Sequence, residues 1–425
     1  MKFDFTTIYD RRGRDAMAVD AVEKIPVFQP NEGFDAIPMW VADMNFATAP
    51  AVTEAIRKRL EHPLFGYFMT SDEYFDSIIR WQERRNGVTG LEKEHIGYEN
   101  GVLGGLMSAL AAVCARGDNV LVHSPTYIGF TRSIENGGYH VITSPLKPDR
   151  YGVQRMDFFD METKIKRNDI RAVVFCSPHN PTGRVWEQEE LEQFMDMARR
   201  LNVTVISDEI WSDLTLRGHQ HIPLQSVSDD ARQRTVALYA PSKTFNLAGL
   251  IGSYHIVYNE ALHKRMKKES SLSHYNSMNV LSMHALIGAY SDEGSQWVDE
   301  LREVLTENVK YACRFIRKNL PGVSVQQPEG TYMLFLDCEE YCRRSGRTLD
   351  EAKKAGYTMA QLTKADILEP VFKRYSLSSL DDLYATIGFG GLSTLQLLNR
   401  LAEEYKKQNR AEAPPLPIVE KPAEE

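Results

Sequence analysis

Lys243 lies in Ala240-Pro-Ser-Lys-Thr-Phe-Asn246, directly after the apolar run Thr235-Val-Ala-Leu-Tyr239. An amine at the mouth of a buried strand can be desolvated enough to lose its proton and attack a carbonyl group. Alone, a lysine after a strand is more often a solvated loop charge. Three further apolar runs end in the same way on a group that can do chemistry. Asn119-Val-Leu-Val-His123 leads into Ser124-Pro-Thr-Tyr127, and Arg171-Ala-Val-Val-Phe-Cys176 into Ser177-Pro-His-Asn-Pro-Thr-Gly183. Val203-Thr-Val-Ile-Ser207 leads into Asp208-Glu-Ile-Trp211. An aromatic ring, an amide, a carboxylate and an amine thus stand at equivalent places.

These four groups suit one cofactor. A carboxylate against a pyridine nitrogen keeps the ring protonated, so that it can accept electrons from a carbanion. An amide can donate to a phenolate oxygen, an aromatic side chain can stack on the ring, and a lysine can form an imine. Gly101-Val-Leu-Gly-Gly105 opens the amphipathic stretch Leu106-Met-Ser-Ala-Leu-Ala-Ala-Val113. It offers backbone N–H groups and a helix N-terminus to a phosphate. By itself that glycine cluster is as readily a packing turn. Together the set reads as a site for pyridoxal 5′-phosphate (PLP).

The elements that must position these groups follow from the same runs. Segments apolar on both faces, alternating with helical stretches, read as parallel strands covered on both sides. Leu191, Phe194, Met195, Ala198 and Leu201 carry helical spacing between two of them. In open α/β sheets ligands bind beyond the carboxyl ends of the strands, which gathers the four groups around one crevice. The predicted class is α/β, a large domain with a mostly parallel sheet under helices, plus a smaller domain. Residues 46–284 form the large PLP-binding domain in this reading, and 1–45 with 285–352 the small one. Gly294-Ser-Gln-Trp-Val-Asp-Glu-Leu301 begins a long small-domain helix, and Thr331-Tyr-Met-Leu-Phe-Leu336 reads as a strand.

Composition narrows the partners. A chain of 425 residues with 43% hydrophobic content can bury a large core. A net charge of −8 argues against nucleic acid or an anionic membrane as the main partner. Lys264-Arg-Met-Lys-Lys268 interleaves charge with an apolar residue and reads as a solvated helix face. No signal-peptide core and no bilayer-length apolar stretch is present, so the expected location is the cytoplasm. Five cysteines there read as reduced thiols. Cys338 and Cys342 lack a second ligand pair, so no metal is expected. Cys176, inside a strand, reads as inert, and His179 as a neighbour of Asn180 more than as an acid or base.

At the level of motifs the chain resembles the MalY/PatB family of cystathionine β-lyases, within the fold-type I PLP-dependent enzymes. The segments that carry this are Met39-Trp-Val-Ala-Asp-Met44, Phe65-Gly-Tyr67, Ser124-Pro-Thr-Tyr127, Ser177-Pro-His-Asn-Pro-Thr-Gly183, Ser207-Asp-Glu-Ile210, Ala240-Pro-Ser-Lys-Thr-Phe-Asn-Leu-Ala-Gly249 and Pro328-Glu-Gly-Thr-Tyr-Met333. The resemblance implies that Lys243 holds the cofactor covalently and that Asp208 faces the pyridine nitrogen. It implies that Asn180 bonds O3′ and that Tyr127 lies over the ring and assists catalysis. Ser242 and the amides of Val102 and Leu103 hold the phosphate. Tyr67 reaches the phosphate of the neighbouring subunit, which implies a homodimer with shared active sites. Aminotransferases related to aspartate aminotransferase carry a phosphate-binding arginine eight residues after the lysine; Ile251 stands there. Asn45 occupies a place where many relatives have aspartate.

Beyond about residue 352 that resemblance stops. The family's Ile-Arg-Met-Asn-like segment, whose arginine grips the substrate α-carboxylate, has no counterpart, so the small domain reads as incomplete. Residues 353–410 read instead as consecutive helices. Ser378 or Ser379 caps one that Gly388 stops, and Ser393 or Thr394 opens another. The stretch is similar to the helical region after the TGS domain of RelA/SpoT-type (p)ppGpp synthetase/hydrolases. None of their catalytic parts is present, so it reads as a fused or misassembled C-terminus. Arg374 and Arg400 read as solvated helix charges, and the proline- and glutamate-rich end, 411–425, as disordered.

The implied activity is PLP-dependent carbon–sulfur β-elimination on L-cystathionine or a related cysteine thioether, in sulfur amino acid metabolism. Two alternatives remain at this stage. An aminotransferase shares the early steps. A PLP-binding protein with impaired catalysis would follow from the missing carboxylate clamp.

Overall fold

The computed structural model describes residues 1–24, 38–272, 276–338 and 340–341. The chain divides into two compact units, Met1–Tyr341 and Cys342–Glu425. The helices read over 353–410, their caps, Arg374, Arg400, Cys342 and the 411–425 tail lie outside the described residues.

A seven-stranded sheet organises the first unit. In chain order its strands are β1 (Ile96–Glu99), β2 (Asn119–Ser124), β3 (His140–Pro145), β4 (Ala172–Cys176), β5 (Thr204–Asp208), β6 (Thr235–Tyr239) and β7 (Ser253–Ile256). Their spatial order is β1-β7-β6-β5-β4-β2-β3. From β6 to β3 every neighbour is parallel. β7 runs antiparallel to both β6 and β1, so β1 points the same way as the parallel set. The carboxyl ends of β2, β4, β5 and β6, four consecutive neighbours, therefore share one sheet edge, and β1 ends there too.

The continuous apolar runs have a direct cause, because alternate side chains enter two different cores. Val120, Val122, Ala172, Val174 and Ile206 pack into one cluster. Leu121, Val173, Phe175, Val203 and Val205 pack into the other. Helices close both faces. Gln188–Arg200 starts in a reciprocal capping box between Glu187 and Glu190 and buries Leu191, Phe194, Met195 and Ala198. Asp292–Asn319 is the long helix expected from residue 294, its first turn capped by Ser291 on the Gly294 N–H. Met266, inside the basic cluster, is buried on the Glu260–Leu272 helix.

One expectation is corrected. Residues 331–336 do not form a strand; only Leu336–Asp337 pairs, with Ser324–Val325. Thr331 takes φ +66°, which removes it from the extended region. Its N–H donates to Leu214 O at 2.7 Å, and Gly330 bridges Thr215. The segment is thus bent onto the strand ends rather than laid along an edge.

Gly183 makes that bend possible. Its carbonyl accepts from the N–H groups of Glu329 and Gly330, at 2.9 and 2.8 Å. It adopts φ +69°, and a Cβ there would strike Pro328 and lie 2.8 Å from Gly330 O. Gly183→Ala is expected to cost about 2 kcal/mol or more, read as a several-degree drop in Tm.

Candidate functional site

Asp208 is the last residue of β5 and Lys243 follows β6 by four positions, so adjacent parallel strands deliver both to the same edge. Asp208 is only 5% exposed. Its Oδ1 accepts the Ile210 N–H at 3.0 Å. Burial outweighs that bond and the attraction of Lys243, and lifts the carboxyl to about 7. Among the described residues no cation forms a salt bridge with it.

Lys243 Nζ donates to Ala42 O at 3.0 Å and lies over the Trp211 ring, 5.7 Å from its centroid. Burial lowers the ammonium's pKa against the opposing pull of Asp208 and Asp43. The amine is therefore easier to deprotonate than a surface lysine. Asp43 is held in turn by Arg11, with 2.6 Å between Arg11 Nη2 and Asp43 Oδ2. Arg11 also donates to Asn45 Oδ1 at 2.9 Å, which gives Asn45 a structural partner.

Tyr127 caps the Ile128–Asn136 helix just after β2, with its ring edge-on to Phe130 at 5.4 Å. Burial first, and then the charge of Asp208, raise its hydroxyl, with Arg132 opposing. Asn180 follows β4 in a tight turn closed by Gly183 N–H to His179 O at 2.7 Å and His179 N–H to Arg184 O at 2.8 Å. His179 is buried, with Nδ1 against Thr182 Oγ1 at 2.8 Å. Burial holds its pKa down at about 3, so it stays neutral and serves the turn. The Cys176 thiol is likewise pushed far up by burial, as its inert reading requires.

Val102 and Leu103 occupy the second and third positions of the Gly101–Val113 helix, where N–H groups have no intrahelical partner. The Asn100 side chain makes no capping bond to that turn. Ser242 precedes Lys243, and its carbonyl accepts the Leu247 N–H at 2.9 Å. Tyr67 stands fully in solvent at 111% relative exposure, so within one chain it joins none of the others.

Residue-by-residue reading gave no role to several groups that hold this edge. Asn246, at φ +58°, clamps Met44 twice, accepting its N–H at 3.1 Å and donating to its carbonyl at 2.9 Å. Asp213 accepts from Trp81 Nε1 and Thr244 Oγ1, both at 3.1 Å, and so fixes the residue after Lys243. Trp211 packs edge-on against Tyr332 at 4.9 Å. A cleft of about 260 Å³ lies elsewhere, lined by Glu73, Arg80, Trp81, Arg84, Tyr290 and Asp292. Its arginines pair with its own acids, Arg80 with Glu73 and Arg84 with Asp292. Lys243, its pKa lowered by burial, and Asp208, its pKa raised by burial, stand at one sheet edge, a combination that marks this edge as the candidate site.

The donor set fits PLP. The buried Asp208 carboxyl, in no salt bridge among the described residues, suits a protonated ring nitrogen, and a partly desolvated amine follows the adjacent strand.

Comparison with known proteins agrees with this chemistry. The family "Aminotransferase class I and II" matches residues 36–371, and the "RelA/SpoT AH domain" matches 344–402. The two matches overlap over 344–371, so the change of character near residue 352 falls inside the overlap. Cystathionine beta-lyase PatB of Bacillus subtilis is 38% identical over 309 residues, 72% of this chain and 79% of that protein. Protein MalY of Escherichia coli is 32% identical over 343 residues, 79% of this chain and 84% of that protein. The PLP-bound C-S lyase of Staphylococcus hominis superposes with a TM-score of 0.76 at 31% identity, covering 86% of this chain and 92% of that one.

Proposed function

The chain belongs to the aminotransferase class I and II family, and from that premise we propose that it is a PLP-dependent carbon–sulfur β-lyase. Its substrate is L-cystathionine or a related cysteine thioether, released as thiol, pyruvate and ammonia. The observation that carries this reading is the 38% identity with cystathionine beta-lyase PatB across most of both chains.

Bound PLP supplies an electron sink for the pair left at Cα when its proton is removed. The roles of this chain's residues follow from their positions. The Lys243 amine anchors the cofactor and, once free, takes the Cα proton. Asp208 would keep a proton on the ring nitrogen, and the protonated ring would give this buried acid its counter-charge. With the cofactor bound, Asn180 would donate to O3′, and Tyr127 would stack on the ring and assist at the reacting centre. The Val102 and Leu103 amides and the Ser242 hydroxyl hold the phosphate. Loss of the β-thiolate balances the proton taken at Cα.

Tyr67, with Leu64, Phe65 and Met69 exposed beside it, suits burial against a second copy of the chain. A homodimer in which Tyr67 reaches the neighbour's phosphate is part of the proposal. So are the division into domains at 45/46 and 284/285, a role in methionine biosynthesis, and a cytoplasmic location. Among the described residues no helix is long and apolar enough to cross a membrane.

The test is to supply L-cystathionine to the PLP-loaded protein without any amino acceptor. Pyruvate, ammonia and thiol are expected in equal amounts. Product formation that requires a 2-oxo acid, yielding a new amino acid, would move the protein to the aminotransferases. Cofactor binding without turnover would leave only a PLP-binding protein.

A further inference from the structure

A side chain that no motif singled out reaches the start of the Gly101–Val113 helix. Asn276 Oδ1 accepts the backbone N–H of Asn100 at 2.8 Å. Its Nδ2 donates to Tyr98 O at 3.2 Å and to Glu99 Oε2 at 3.3 Å. One planar amide therefore engages three consecutive residues at the end of β1. The Tyr98 hydroxyl adds a second hold, donating to Asn100 Oδ1 at 2.9 Å.

The hold is rigid because Glu99 is itself fixed. It is buried, pairs with His255 Nδ1 at 2.9 Å, and accepts from Ser108 Oγ at 2.9 Å and Ser270 Oγ at 2.8 Å. Gly101 comes next at φ +74°, a conformation that leaves the direction of the chain to its neighbours. The Asn100 peptide, pinned by Asn276, is thus the last fixed plane before the helix. Its orientation sets where the Val102 and Leu103 N–H groups, which have no intrahelical partner, point.

We propose that Asn276, with Tyr98, is a positioning residue for the phosphate-binding end of this helix, aiming the Val102 and Leu103 amides at the cofactor phosphate. Neither side chain is assigned a contact with the phosphate itself. The inference rests on the phosphate assignment under Proposed function, and its test separates the two.

Dissociation constants for PLP and for pyridoxal, which lacks the phosphate, are measured by absorbance titration. Full-length wild type, Asn276→Ala and Tyr98→Phe are compared. Wild type is expected to favour PLP over pyridoxal by about 100-fold or more. Asn276→Ala is expected to cut that preference by about tenfold, with pyridoxal affinity little changed, and Tyr98→Phe by about threefold. General loosening of the fold would weaken both ligands alike and leave the preference intact. Tyr98→Phe, which deletes one oxygen and keeps the ring, decides the matter should Asn276→Ala fail to fold. Unchanged preference in the variants overturns the positioning role. A wild type without preference overturns the phosphate assignment instead.

Discussion

Lys243→Ala is expected to lower kcat/KM for L-cystathionine by about 10⁴-fold or more, and to abolish covalent retention of the cofactor. Two functions vanish with one side chain. General-base transfer alone contributes roughly 10²- to 10⁴-fold, and the covalent anchor adds to it. The setting of the amine supports the size of the effect. Its only hydrogen-bond acceptor among the described residues is Ala42 O at 3.0 Å, and burial already pushes the ammonium towards its neutral form. Lys243→Arg restores the positive charge but not a group that can release its proton, so it should stay as inactive as alanine. Borohydride reduction followed by mass spectrometry reads the anchor directly: wild type gains one cofactor mass and neither variant does. Turnover by Lys243→Ala within about tenfold of wild type would remove the mechanism.

Much of this site was legible because it is built from strand ends. The runs before Tyr127, Asn180, Asp208 and Lys243 have apolar residues at consecutive positions (Val120–Val122, Ala172–Cys176, Val205 and Ile206, Val236–Tyr239), as strands buried on both faces need. Once they are parallel neighbours, their carboxyl ends must coincide. The two strands beyond β6 were not legible. β1 contains Gly97 and Glu99, and β7 contains Ser253 and His255, so neither carries a continuous apolar signal. The polar members are satisfied by tertiary partners instead, as in the pair of His255 with Glu99.

The same cause hid the supporting residues. Asn246 meets Met44 across 202 positions and Asn276 meets Asn100 across 176, separations over which local pattern carries no information. The strand read over 331–336 failed because of tertiary contacts that override its local preference. Its apolar and β-branched residues favour extension, but the contacts of Gly330 and Thr331 with Thr215 and Leu214 hold Thr331 in a left-handed conformation.

Asp208→Asn is expected to act in opposite directions on the empty and the loaded protein. The substitution keeps shape and removes the charge. In the loaded protein a buried charge loses its partner, which typically costs about 3–5 kcal/mol, or roughly 10²-fold to several-thousand-fold in activity. Asp208→Ala should behave alike, retaining some PLP while losing most turnover. In the cofactor-free protein the carboxyl sits at about 7, well above its ordinary value near 3.8. A raised acid binds more protons folded than unfolded between those two values, so its contribution to stability falls as pH rises from about 4 to about 7. Asparagine escapes that loss. The stability of cofactor-free Asp208→Asn relative to wild type should therefore climb across this window and level off above it. His123 and His179, held at about 4 and about 3 by burial, impose the reverse trend below about pH 6.5. They do so in both proteins, and the difference between the two cancels it. Thermal unfolding at pH 5 and pH 8, with and without PLP, measures all of this. At pH 8 the empty variant should melt higher than empty wild type, and added PLP should stabilise wild type more. A variant that melts no higher at pH 8 than wild type, or that gains as much from PLP, would show that Asp208 is not the buried counter-charge of the ring. The opposed signs are the signature of a carboxylate kept in the core at a cost to the empty fold, because the loaded site needs its charge.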